Sequence, residues 1–412
     1  MRTVIGDVET AAGSAAAGSE SYLPFSAPCF GPEEKEEVTA TLESDWITTG
    51  PRTRRFEQEF ARTVGSRHAL AVNSCTAALH LSLLALNIGP GDVVVTSPFT
   101  FCATANVVVH CGAVPVFVDI RPDTYTLDAN RLREFFERDC NWDGCALNLR
   151  RTGGRVRAIT AVHYAGQPCD MDEINGLAQR YGLAVIEDAA HAIGAGYKGR
   201  NVGTLADMSC FSFYANKNMT TAEGGMLTTD DDHLAGRARL MSLHGISRDA
   251  WKRYAQEGTW CYDVEYPGYK YNLTDLASAI GLHQLRKLPG FLAKRRLIAA
   301  RYLEGLKGLP LILPESLLDR QHAWHLFPVQ VTSSRVSRDE LVEELKRRQI
   351  GTSVHFIPLH LTSYYQRAFG YRRGDFPLTE QVFDRIVSLP LFPRMSDRDV
   401  QRVIDALHEI LC

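Results

Sequence analysis

No Cys-x-x-Cys pair occurs anywhere in the 412 residues, although ten cysteines are present. That spacing is the usual mark of structural zinc or a redox dithiol. Scattered cysteines inside apolar runs, such as Cys210 between Ser209 and Phe211, behave instead as small hydrophobes. Reduced thiols of a cytoplasmic protein are therefore expected, with zinc or disulfides as the alternative. Also missing is any apolar run long enough to span a bilayer, and Asp7 and Glu9 break the stretch that a secretory signal would need. Nor does one charge dominate: 45 Lys and Arg against 48 Asp and Glu leave a net −3. No basic stripe or helix-turn-helix segment offers itself to nucleic acid or to an anionic membrane.

The length suits a large domain followed by a smaller one. Residues 1–22, with the small-residue stretch Ala11–Ser19, read as a disordered tail, 23–288 as the large domain and 289–412 as a smaller α+β domain. From about Glu33 short β-rich runs alternate with helical patterns. Candidate strands are His68–Val72, Val93–Thr96, Val114–Asp119, Ala158–Val162, Ala184–Glu187, Ser209–Phe213 and Met226–Thr229. Ala77–Leu86, Ala103–His110 and Met171–Tyr181 read as helices between them, an alternation that implies an α/β fold with a largely parallel sheet. A further helix starts near Asp275 and is expected to stop at Pro289-Gly290, and Cys140–Arg155 reads as a surface insertion. A strand-like run at Leu326–Val331 and a charged helix at Arg338–Arg348 follow.

What stands after each strand carries the chemistry, because ligands in open α/β sheets gather beyond the carboxyl ends of the strands. Ser74 and Thr76 follow the first strand, Phe101 the second, His163 and Tyr164 the fourth, Asp188 the fifth and Lys217 the sixth. Asn73-Ser74-Cys75-Thr76-Ala77 opens a helix with hydroxyls and backbone N–H groups; alone it reads first as an ordinary helix cap, and with the other motifs as a phosphate site. Phe101 has the placement to stack on a flat cofactor; core packing is its plainer use. Asp188 ends the apolar run Leu183–Ile186, where a carboxylate needs a cation, strong hydrogen bonds or a capping role. A protonated pyridine nitrogen is one such cation, whereas Asp188 with His191 supplies too few ligands for a metal. Lys217, between Phe211-Ser212-Phe213 and Ala222-Glu223-Gly224-Gly225, is either a solvated surface group or an amine whose restricted solvation frees it to condense with a carbonyl. Taken together, lysine and carboxylate suggest pyridoxal phosphate.

Seven blocks, in order, carry a resemblance: Ser74–His80, Thr100–Thr104, Val162–Pro168, Ile186–His191, Phe211–Phe213 with Lys217 and Glu223–Gly225, Gly268–Asp275, and His355–His360. From about Leu23 to the C-terminus the chain resembles the DegT/DnrJ/EryC1/StrS family of sugar aminotransferases, and several blocks are similar to the type that makes UDP-4-amino-4-deoxyarabinose. The resemblance implies an aspartate aminotransferase-like fold (fold type I) and pyridoxal phosphate as cofactor. By position, Lys217 would form the Schiff base, Asp188 would bind the pyridine nitrogen and Phe101 would stack on the ring. Thr76, Ala77 and Ser212 would hold the phosphate, and Asn272 would reach it from the other subunit of a homodimer. His191, where many relatives carry Gln, would lie near the ring hydroxyl, while Tyr214, where many carry His, and His355 would meet substrate. The implied reaction moves an amino group from L-glutamate to a 4-keto sugar linked to dTDP or UDP, with a 3-keto substrate or a non-catalytic regulatory protein as alternatives. Related dehydratases replace the lysine by histidine, so Lys217 favours transamination.

Overall fold

The computed structural model describes residues 21–246 and 262–412. Most of the expected tail therefore lies outside the described residues. Its last two residues are placed, and the Ser21 carbonyl accepts a hydrogen bond from Arg402 at 2.8 Å.

A central sheet runs in the order His68–Val72, Gly225–Thr229, Met208–Ser212, Ala184–Asp188, Arg155–Val162, Asp92–Thr96, Val114–Phe117. The last five pair in parallel, and Gly225–Thr229 runs antiparallel to both of its neighbours. Strands buried on both faces are continuous apolar runs, as Val93–Val95 and Val185–Ile186 are. Amphipathic helices such as Pro51–Val64 and Met171–Tyr181 cover the sheet, turning Phe56, Phe60, Ile174 and Leu177 inward.

Two expectations change. The 140–155 stretch is no mere surface insertion: Cys140–Trp142 and Leu147–Leu149 form a hairpin that pairs antiparallel with the start of Arg155–Val162. Cys140, Leu147 and Leu149 are buried in the main core, so this segment extends the sheet. The helix from Asp275 also does not stop at Pro289 but continues to Gly305, 31 residues in all. Proline removes one helical hydrogen bond and crowds the preceding turn, at a cost of about 3 kcal/mol. Packing on both sides offsets it: Leu282, Leu285, Leu288 and Leu292 enter the main core, while Ile298, Ala299 and Tyr302 enter a second one.

That second core lies under a three-stranded antiparallel sheet, Leu311–Ile312, Phe327–Val331 and Ile386–Leu389, with helices Arg338–Arg347 and Asp397–Leu411. A larger N-terminal and a smaller C-terminal body remain our proposed division, with the change of core between Leu292 and Ile298. Among the described residues no helix is long and apolar enough to cross a membrane.

Candidate active site

Beyond the carboxyl ends of the parallel strands lies a cavity of about 470 Å³. Its wall includes Thr76, Phe101, Asp188, His191, Ser212, Tyr214, Lys217 and His355, eight of the ten residues to which the resemblance assigns a role. His163 turns away from it, fully buried against Glu187 at 2.9 Å.

At one end the helix Cys75–Ala85 points its N-terminus into the cavity, where unpaired N–H groups favour an anion. Ser74 caps it, its Oγ accepting from the Ala77 N–H at 3.1 Å, so Ala77 is at the helix start but its N–H is committed within the chain. Thr76 is exposed, and the Ser212 Oγ accepts only a long contact from the Tyr214 N–H at 3.4 Å. Gly225 passes directly against this turn. A Cβ there would come within 2.5 Å of the Ser74 carbonyl carbon, so only glycine lets the strand lie so close.

Asp188 closes its strand with its side chain buried. Oδ2 accepts from the Thr104 hydroxyl at 2.7 Å and Oδ1 from the Ala190 N–H at 3.2 Å. Burial raises its pKa, while those two hydrogen bonds and the charge of Lys217 work the other way. Lys217 sits in a turn whose N–H bonds to the Tyr214 carbonyl at 2.9 Å. Among the described residues its ammonium has no hydrogen bond or ion pair, and burial lowers its pKa to about 8 although Cys75 and Asp188 oppose the shift.

The aromatic residues settle where core packing and exposure compete. Phe101 is 58% exposed, so its ring is a wall of the cavity and not part of the core. His191 accepts the Ala165 N–H at Nδ1 (3.2 Å), which leaves the proton of its neutral ring on Nε2; burial, Lys217 and His355 push its pKa well down. His355 pairs with the Ser388 hydroxyl at 3.0 Å and is lowered to about 4 by burial and by Lys217. Tyr214 is half exposed at the mouth.

Asn272 is not brought into this cavity. Its side-chain amide donates to the Thr49 hydroxyl at 2.6 Å, and it lines a separate, larger cavity of about 760 Å³ that contains neither Lys217 nor Asp188. Sequence reasoning missed Thr104, which stood in a quoted block four residues after Thr100, and Asn216, whose Oδ1 is buried without a partner among the described residues. It also missed Phe356, which stood in the quoted block His355–His360 without a role, and His325, which no local pattern marks; both line the cavity wall.

The arrangement fits pyridoxal phosphate. A helix N-terminus can seat the phosphate, an exposed phenyl ring can cover one face, and among the described residues the buried carboxylate of Asp188 lacks a bonded cation while Lys217 lacks an anion. Among the described residues no group of three or more His, Cys, Asp and Glu could hold a metal. These features and the sheet order define a fold type I, pyridoxal phosphate-dependent aminotransferase.

The particular family follows from comparison. The model of the DegT/DnrJ/EryC1/StrS aminotransferase family matches residues 28–408, and the chain belongs to that family. It is 49% identical over 394 residues to the spore coat polysaccharide biosynthesis protein SpsC of Bacillus subtilis, covering 95% of this chain and 97% of that protein. Among solved structures, Spr1654 of Streptococcus pneumoniae in its PMP form superposes with a TM-score of 0.84 at 32% identity, covering 94% of this chain and 98% of the other. DesV of S. venezuelae, in complex with a ketimine intermediate, gives 0.81 at 35%, covering 92% and 94%. Spr1654 is also known in a PLP form.

Proposed function

We propose that this sugar aminotransferase moves the amino group of L-glutamate to a nucleotide-linked 4-keto sugar, releasing 2-oxoglutarate and a 4-amino sugar nucleotide. The observation that carries the reading is Lys217: an amine without a partner among the described residues, lowered to about 8, in the same cavity as the buried carboxylate of Asp188. When bound, pyridoxal phosphate supplies a carbonyl that exchanges an amino group and a ring that withdraws electrons. Thr76, Ser212 and the start of the helix Cys75–Ala85 would hold the phosphate. Phe101 would cover a ring face, and Asp188 would keep the ring nitrogen protonated. His191, with its proton on Nε2, would serve the ring hydroxyl. Lys217 would hold the cofactor covalently at rest and, once released, would act as the base and acid that moves a proton at the donor's Cα and, with the keto sugar, in the opposite sense.

Tyr214 and His355 border the open side, where the sugar would enter. A homodimer with shared sites accounts for Asn272, whose amide faces away from the Lys217 cavity of its own chain and would serve the partner's phosphate. The 4-position rests on the likeness of Gly268–Asp275 to 4-aminating relatives, and a cytoplasmic setting suits a nucleotide-sugar substrate.

The test is spectroscopic and then preparative. L-glutamate should convert the bound cofactor from its aldehyde-type absorbance to the amine form, and dTDP- or UDP-linked 4-keto sugars should convert it back. Failure of every amino donor would refute transamination, while return only with 3-keto sugars would move the assignment to that position.

A further inference from the structure

Asp188 is held by more than its own strand. Thr104, in the first turn of the helix Ala103–His110, donates to its Oδ2 at 2.7 Å, and the Thr100 and Thr104 hydroxyls lie 2.8 Å apart. Both threonines are 1% exposed, so water does not compete for either hydroxyl. A threonine hydroxyl carries one proton. With the Thr104 proton committed to Asp188, its contact with Thr100 must be the one in which Thr100 donates. The opposite polarity, running from Asp188 outward, requires a proton on Oδ2 itself. The direction of the chain thus reports where the Asp188 proton is.

We propose that Thr100 and Thr104 are positioning residues forming a two-link relay, Thr100 to Thr104 to Asp188, that holds the carboxylate as an anion toward the cofactor's ring nitrogen. The inference rests on the reading of Asp188 given above. Charge-assisted hydrogen bonds are the strong ones, and two hydroxyls in series polarise one another, so Thr100 acts on Asp188 without touching it. The same short segment carries Phe101, exposed in the cavity between the two threonines in sequence. One turn of chain thereby sets both the ring's covered face and the carboxylate at its edge.

Removing the donor leaves the carboxylate, among the described residues, with the Ala190 N–H as its remaining hydrogen bond. Its affinity for the ring proton rises, and the proton shifts from nitrogen toward oxygen, which weakens the electron sink. The holoenzyme is reconstituted with pyridoxal phosphate isotope-labelled at the ring nitrogen and read by nitrogen NMR. Thr104→Val, nearly the same shape, should move the signal toward the unprotonated ring and lower kcat by about 10- to 100-fold with little change in KM. Thr104→Ser should restore both, and Thr100→Val should move both the same way by a smaller amount. Asp188→Asn is the reference. If it moves the signal and Thr104→Val does not, the relay is overturned; if Thr104→Val moves it and Thr100→Val does not, the two-link form is overturned. If Asp188→Asn itself leaves the signal unchanged, the role given to Asp188 falls instead.

Discussion

Lys217 and Arg295 are two cations that burial penalises, and they are used in opposite ways. Arg295 is 1% exposed on the long helix, between the stretches that enter the two cores. Its Nη1 donates to the carbonyls of Trp324 (3.1 Å), His325 (3.1 Å) and Leu391 (2.8 Å). Burial lowers its pKa, yet a guanidinium keeps its proton at neutral pH and can spend it only on fixed acceptors. Lys217 is lowered as well, but among the described residues its amine has no such acceptors, and it can lose its proton within reach of neutral pH. A buried charge tied to fixed carbonyls, as Arg295 is through Nη1, holds structure; one without such acceptors is available for chemistry.

Removing each in turn gives the strongest contrast. Lys217→Ala should still bind pyridoxal phosphate non-covalently while turnover falls by about 10³-fold or more, and its melting temperature should not drop. Near-normal turnover in a steady-state assay would erase the distinction. Arg295→Ala should do the reverse. Three carbonyls lose their donor and a cavity opens, so denaturant unfolding should show a loss of about 3 kcal/mol, with activity per folded molecule largely kept. The smallest effect sharpens the comparison through pH. Lys217 is charged below its pKa and neutral above it, so the rate at which apo-protein captures pyridoxal phosphate should rise about tenfold per pH unit below 8 and level off above it. A flat profile by absorbance would place the amine outside the electrostatic setting described here.

The same contrast separates what could be read in the sequence from what could not. The strands were legible because each is an apolar run buried on both faces, and Asp188 and Lys217 were legible because each ends or follows such a run. Pro289 misled because its effect is local while the packing that overrides it comes from Leu285, Leu292 and Ile298 meeting separate cores. Arg295 gave no sign of its role, since its acceptors at Trp324, His325 and Leu391 are distant in sequence. His325 was hidden for the same reason, whereas Phe356 lay in view beside His355 and only its place in the cavity wall was missing. The hairpin in 140–155 was missed because its polar composition masked three inward side chains, Cys140, Leu147 and Leu149.

The unbroken helix Asp275–Gly305 also has a consequence of dimension. Machinists align separate parts from a common datum, so that errors do not accumulate from joint to joint. Here a rod about 46 Å long, at 1.5 Å of rise per residue, plays that part. Through Arg295 this helix holds the carbonyl of His325, a residue of the cavity wall, and through Leu282 and Leu285 it packs in the core under the sheet that carries Asp188, so both are gauged from one axis. Proline in its middle leaves that alignment intact.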